Sequence, residues 1–449
     1  MSVVPAGDSW LGSSPSDWRR SRIRNASVLS PGYSGAAPVP TEYCTVVPME
    51  MVSEWGEIGT TEQQPFDEVS GGLTLFEMGD VLFAKITPCM ENGKGAYVRK
   101  LPTRYGFGST EFHVLRPRAG VDGAFLYYYA FNPVFRAYAA ENMVGAAGQK
   151  RVSSRFLKDT RLFLPSFAEQ QHIATYLDAS CAAIDAAVTA KCKQIEKLDA
   201  YRESRIERAI THGSRESSMQ PIGLDWIEQL PAHWQAVRVK RVLAAMDYGI
   251  SVSTNEEGRF PVLKMGHVQN GEIEFAKLDY VDDVPESLLL HENDVLYNRT
   301  NSPDQVGKAA IFRRTKDDTI TFASYLVRLR LNHQVLPEFF NYVANSRGFL
   351  RFARRMAIPS VQQSNLNSTR YGRLWIPLPP LDEQRGIVDA LNDLSRDVQA
   401  TKTVLQKQID TLTAYRKSLI HECVTGQRRI SAGDLAGVGA RMPEAEACA

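Results

Sequence analysis

Cysteine is sparse in this chain of 449 residues. The six present, Cys44, Cys89, Cys181, Cys192, Cys423 and Cys448, form no C-x-x-C pair and no zinc-like cluster. Reduced thiols in a cytoplasmic protein are therefore expected, and no disulfide framework. The eight histidines include no H-x-x-x-H, so no metal site is expected. There is no G-x-x-x-x-G-K-[ST] phosphate loop; ENGKGA at Glu91 lacks the spacing. A dinucleotide-binding glycine fingerprint, a nucleophile elbow and a nuclease carboxylate–lysine set are missing too. NPVF at Asn132 has one proline fewer than the N-P-P-[YF] motif of amino-methyltransferases. These absences argue against an active site within the chain. No apolar run looks long enough to span a bilayer, and the polar N-terminus does not read as a signal peptide, so no membrane is expected as a partner. Net charge is scarce as well, at +1. That excludes a uniformly basic coat but not a locally basic face.

What the chain does have is a repeat. EQQHIATYL at Glu169 returns as EQRGIVDAL at Glu383, 214 residues on. KQIEKLDAYRESRI at Lys193 returns as KQIDTLTAYRKSLI at Lys407 at the same offset. Asp80-Val81-Leu82 matches Asp294-Val295-Leu296, Gly93-Lys94 matches Gly307-Lys308, Gln149 matches Gln363, and Leu164-Pro165 matches Leu378-Pro379. The unit is far longer than a solenoid repeat. A duplicated half-molecule implies a pseudo-two-fold object, which suits a target with two-fold backbone symmetry such as duplex DNA.

Each half begins with a mixed region, 15–164 and 231–378. Short apolar runs bounded by Gly, Pro and Asn (Val81–Ile86, Glu111–Leu115, Asp294–Tyr297, Ala309–Phe312, Ser324–Leu331) predict strands. Phe125–Tyr138 and Pro337–Met356 predict helices, giving an α+β (mixed α/β) class. A proline-rich boundary follows, where proline is well placed to precede a helix. Helical regions come next, 165–213 and 379–426, and within their helical stretches, near 167–211 and 382–425, there is no Pro or Gly except Gly386. Ile173, Leu177, Ile184, Val188, Ile195, Leu198 and Ile206 recur at spacings of three, four and seven, as do Ile387, Leu391, Leu394, Val398, Leu405, Ile409, Leu412, Leu419 and Ile420. So narrow a stripe predicts an antiparallel coiled-coil pair separating the two globular domains. Residues 1–14 are an extension, 214–230 a connector, and 427–449 are expected to be a disordered tail.

Two motifs carry candidate binding chemistry. GDVLFAKITPCMENGKGA at Gly79 and its counterpart NDVLYNRTNSPDQVGKAA at Asn293 run an apolar strand into polar residues: Lys85, Thr87, Asn92 and Lys94; Asn298, Arg299, Thr300, Asn301, Ser302 and Lys308. GAAGQKRVSS at Gly145 offers Gln149, Lys150 and Arg151, and IPSVQQSNLNSTR at Ile358 offers Gln362, Gln363 and Asn365. Lys, Arg, Ser and Thr hold phosphates, while Arg, Asn and Gln fork onto base edges. A ligand-free hairpin and a plain surface loop remain the alternatives. Glu169, Gln170, Glu383 and Gln384 either start helices, an acid in the first turn being favoured by the macrodipole, or contact a partner protein. Six arginines (Arg347, Arg351, Arg354, Arg355, Arg370, Arg373) occur from Arg347 to Arg373 with no acid among them.

Taken together, these stretches, with GFGSTEFHVLRP, FPVLKMGHVQNGEI, SYLVRLRL and IPLPPLDEQRGIV, resemble the specificity (S) subunit of type I restriction–modification systems. The resemblance runs from about residue 15 to 426. It implies two target-recognition domains that each read one half of a split site in double-stranded DNA, with no catalytic residues in the chain. It implies helical regions that dock two methyltransferase (M) subunits, with restriction/translocase (R) subunits joining. S-adenosylmethionine, ATP and Mg are then expected on the partners and no cofactor on this chain. A coiled-coil interaction scaffold without DNA, and a divergent stand-alone DNA methyltransferase, are the rival readings.

Overall fold

A computed structural model describes residues 11–12, 15–146, 148–213, 217–224, 226–313, 319–360 and 363–439. Among them Phe167–His212 and Leu381–Thr425 are single helices of 46 and 45 residues. The chain groups into two compact units whose boundaries fall inside both helices: residues up to Lys191 with those from Gln406, and Cys192–Leu405. Each unit thus holds the first part of one long helix and the last part of the other, rather than a helical region standing apart.

In the first unit, two sheets of four strands build the globular part. One runs Ser27–Leu29, Phe112–Pro117, Val81–Ala84, Gly95–Tyr97, all antiparallel. The other runs Glu62–Pro65, Tyr43–Val47, Gly106–Gly108, Thr74–Phe76, with Tyr43–Val47 and Gly106–Gly108 parallel. Val81–Ala84 is buried throughout, because the sheet is covered on both faces. The expected Phe125–Tyr138 helix is two helices, Gly123–Ala130 and Pro133–Glu141. Asn132 caps the second by accepting from Val134 N–H at 3.0 Å, and Pro133 sits in its first turn, which forces the break.

The second unit repeats this order at the 214-residue offset. Leu243–Tyr248, Leu326–Leu331, Val295–Asn298 and Ala309–Ile311 lie in the same sequence, extended by Gly271–Ile273 and Val268–Gln269. Phe260–Leu263 again pairs antiparallel with one neighbour, Asp279–Val281, and parallel with the other, Thr321–Phe322. The expected long helix is again two, Pro337–Ala344 and Arg347–Met356, the second capped by Ser346. The connector is not a plain linker: Met219–Leu224 and Ile227–Pro231 form a hairpin.

Within each unit the two long helices run antiparallel. In the first, Asp185 pairs with Arg416 at 3.0 Å and Lys191 Nζ donates to Gln408 Oε1 at 2.6 Å. In the second, Lys402 Nζ donates to Asp199 at 2.7 Å and Arg202 Nε to Ser395 Oγ at 3.1 Å. Ile173, Leu177, Ile184, Leu391 and Val398 are buried, whereas Ile195, Leu198, Leu405, Ile409 and Leu412 are only half-buried. Ile173, Leu177, Ile184 and Leu391 belong to cores that the globular layers also build, which completes their burial, whereas a pair of helices alone covers one side of each stripe. Phe167–His212 contains one stretch apolar enough to cross a membrane by length and composition, contrary to expectation. Its apolar side chains Ile173, Leu177, Cys181 and Ile184 are spent in the core of the first unit.

The tail expected to be disordered is ordered for its first part. Ile430 is buried, and Arg429 forms ion pairs with Asp17 and Glu169 at 2.9 and 2.8 Å. A short helix, Ala432–Gly439, follows. Leu11, in the N-terminal extension, is buried in the same core. Residues 440–449 lie outside the described set.

Candidate nucleic-acid interface

In both units the strand that leaves the core sheet is met by the second polar segment. In the first, Ile86 bridges Arg151, Thr87 N–H donates to Lys150 O at 3.0 Å, and Val152 N–H donates to Lys85 O at 2.9 Å. In the second, Thr300 pairs with Asn365, Asn301 with Ser364, and Leu366 N–H donates to Arg299 O at 2.8 Å. Each bond is the 214-residue image of the other. A third segment closes both ribbons: Val144 bridges Arg151, and Ile358–Ser360 pairs with Gln363–Asn365. Gly145 makes the tight turn possible, with φ +133°; a Cβ there would come within 2.7 Å of Gln149 O. Two motifs about 60 residues apart in sequence thus form one surface in each half.

Side chains differ between the ribbons. Gln149 and Lys150 are exposed in the first, as are Gln363 and Ile358 in the second. Lys85 Nζ donates to Thr110 O at 2.6 Å, and Arg151 clamps Glu111 through Nε and Nη2 at 3.0 and 2.7 Å. The Arg151 guanidinium holds the Glu111 carboxyl below its ordinary range despite partial burial, with Lys85 adding to the effect. At the positions of Thr110 and Glu111 the second half has Ser324 and Tyr325, so no acid faces Arg299 from there. Arg299 instead lies over the Tyr248 ring, 5.1 Å from its centroid. Tyr248 is anchored by Ser368, whose Oγ lies 2.8 Å from the phenol oxygen and whose N–H donates to it at 3.2 Å. Burial would raise the Tyr248 phenol, but these bonds and the Arg299 charge bring it below its ordinary value.

Several expected contact residues are buried or hydrogen-bonded within the chain. Asn298 is 1 % exposed, with no hydrogen-bond partner for its side chain among the described residues, because it still belongs to the core strand. Thr300 is buried, and its hydroxyl accepts from Asn365 Nδ2 at 2.9 Å. Lys94 Nζ donates to Met49 O at 3.2 Å. Thr87 Oγ1 accepts from Lys150 N–H at 3.0 Å inside the ribbon. Asn301 Oδ1 accepts from Ser302 N–H at 2.8 Å. Asn92 is exposed and Lys308 half-buried. Gln362 lies outside the described residues. Tyr248, Tyr325 and Glu111 were not anticipated; the one signal was that the acid at 111 has no acid at its repeat position.

The four residues at the helix starts are engaged within the chain. Gln170 and Gln384 are 1 % and 0 % exposed. Gln170 accepts from Asp122 N–H and donates to Gly120 and Pro165 carbonyls. Gln384 repeats this with Leu336, Gln334 and Pro379. Glu169 accepts from Trp18 Nε1 at 3.3 Å and Glu383 from Trp234 Nε1 at 2.9 Å. The amides are therefore corrected from partner contacts to internal ties between helix start and globular domain: burial leaves a partner nothing to touch. No group of three or more His, Cys, Asp or Glu among the described residues could hold a metal ion.

Residues 57–197 and 231–410 match the family model described as type I restriction modification DNA specificity domain. The chain is 26% identical over 205 residues to the putative type I restriction enzyme MjaX specificity subunit of Methanocaldococcus jannaschii, covering 44% of this chain and 47% of that one. It is 35% identical over 129 residues to the EcoAI specificity subunit of Escherichia coli, covering 28% and 22%. To the EcoEI specificity subunit of the same organism it is 22% identical over 453 residues, covering 81% and 76%. The matched part thus spans about half the MjaX subunit and about a fifth of the EcoAI subunit. Among solved structures, a chain from "Structural basis underlying complex assembly and conformational transition of the type I R-M system" superposes with a TM-score of 0.73 at 18% identity, covering 93% of this chain and 100% of that one. The HsdS subunit from Thermoanaerobacter tengcongensis gives 0.53 at 18%, covering 93% and 98%. At such identity these two establish the fold alone.

Proposed function

This chain belongs to the type I restriction–modification DNA specificity family, and from that premise we propose that it reads a bipartite site in double-stranded DNA, one half-site per globular domain. The observation that carries the reading is the ribbon built twice, at a constant offset, from two polar segments distant in sequence. Phosphate neutralisation by lysines and arginines supplies affinity and makes it salt-dependent. Gln149, Gln363 and neighbouring polar groups supply base contacts. The chain performs no reaction step itself. Two M subunits dock on the long helices and R subunits join the complex in the cytoplasm, bringing S-adenosylmethionine, ATP and Mg with them.

The test is to map methylated sites in the host genome with and without this gene. A two-part motif that vanishes on deletion supports the reading. Exchanging residues 231–378 for the matching region of another specificity chain then changes one half-site and leaves the other. If both half-sites change, or neither does, one reader per domain is wrong.

A further inference from the structure

The two ribbons differ in how their cations are compensated. In the first, Lys85 is held by the Thr110 carbonyl and Arg151 by the Glu111 carboxylate, at 2.6 and 2.7 Å. Freeing either group for DNA means breaking a charge-assisted bond, and the Glu111 charge left behind repels phosphate and base acceptors alike. In the second, Arg299 stands at the repeat position of Lys85 and makes no ion pair with a described residue. Its guanidinium is set on the Tyr248 ring, and its Nε is buried with no hydrogen-bond partner among the described residues. Tyr248 in turn cannot swing freely, because Ser368 binds its hydroxyl through both Oγ and N–H. At the position 214 residues before Tyr248 stands Ser34, which has no ring to offer.

From this asymmetry we infer that Arg299, positioned by Tyr248, reads a guanine in the half-site of the second domain. The inference rests on the DNA reading proposed above. A guanidinium presents paired donors in one plane, and guanine is the base with two acceptors, N7 and O6, on its major-groove edge. Contact with an anchored ring, 5.1 Å from the guanidinium carbon to the ring centroid, restricts the guanidinium before binding, so less rotamer freedom is lost on contact. A phosphate-holding cation needs charge but no fixed plane. Tyr248 touches no base in this scheme; it is a positioning residue.

The complex of this chain with its methyltransferase subunits is assayed on duplexes carrying the methylation-mapped motif. Each guanine of the second half-site is replaced in turn by 7-deazaguanine, which lacks N7. One replacement should weaken wild-type binding by about tenfold to a hundredfold. Arg299→Ala should lose affinity by a similar factor, and the same replacement should then cost it nothing further. Arg299→Lys keeps the charge and should behave like Arg299→Ala. Tyr248→Phe retains the ring but loses the hydroxyl that Ser368 anchors, so it should weaken the guanine preference in part, and Tyr248→Ala should weaken it further. The inference is overturned if Arg299→Lys binds as wild type, or if Arg299→Ala weakens binding to all duplexes alike, since Arg299 then holds phosphate. A second half-site without guanine also overturns it. Absence of any sequence preference in the wild-type complex would instead sink the proposed function itself.

Discussion

Arg116 grips Asp80 through Nε and Nη2, each 2.8 Å from a carboxylate oxygen, and Asp80 is wholly buried. Arg330 grips Asp294 in the same way, at 2.9 Å for both bonds. The pair fixes the corner at which the strand beginning at 81 or 295 enters the core sheet, and so aims the ribbon beyond it. Replacing Arg116 with Met leaves a buried carboxylate supported by Glu77 N–H. The expected loss is about 3–5 kcal/mol, measured by denaturant unfolding, and the double variant Arg116→Met, Asp80→Leu should recover most of it. An Arg116→Met protein as stable as wild type would show that the pair does not hold the corner.

Burial along the long helices predicts unequal costs. Leu391 is 3 % exposed, so Leu391→Ala should cost about 2–5 kcal/mol. Ile409 is half-buried in the same helix, and Ile409→Ala should cost clearly less. Equal losses would mean that the middle of the seam is covered in solution.

The segment after the second long helix is expected to stabilise the first unit. Ending the chain at Gly426 removes the buried Ile430 and the Arg429 pairs with Asp17 and Glu169. Burial of one such side chain contributes about 1.5–3 kcal/mol. A truncated protein that melts with the wild type would show that the segment is not seated.

Lys150 is exposed on the first ribbon, beside Gln149. If it neutralises one phosphate, Lys150→Ala should weaken binding to every sequence alike and flatten the slope of log K against log salt by about 0.9. A changed sequence preference with an unchanged slope would make it a base reader instead.

The interior roles of Asn298, Gln170 and Gln384 could not be read from residue type. A polar side chain on a strand or helix start is indifferent to which face it occupies until the neighbouring layers are placed. Gln170 reaches the Gly120 carbonyl and the Asp122 N–H, 50 and 48 positions away in sequence, and only packing brings them within reach. The same holds for Arg151 and Glu111, 40 residues apart.

What the sequence determined by itself was the duplication, the two globular regions of mixed class, the long helices and their apolar stripe, and the two polar segments of each half. All of these are local patterns, or patterns repeated at one offset, and a repeated pattern carries its spacing with it. Only the tertiary structure decided that the two polar segments meet as one ribbon, that the compact units cut across both helices, and that the tail closes on Asp17. It also decided that Lys85 is engaged while Arg299 stands on Tyr248. Those outcomes depend on distances between residues far apart in the chain, which are set when apolar layers exclude water and fix what lies beside what.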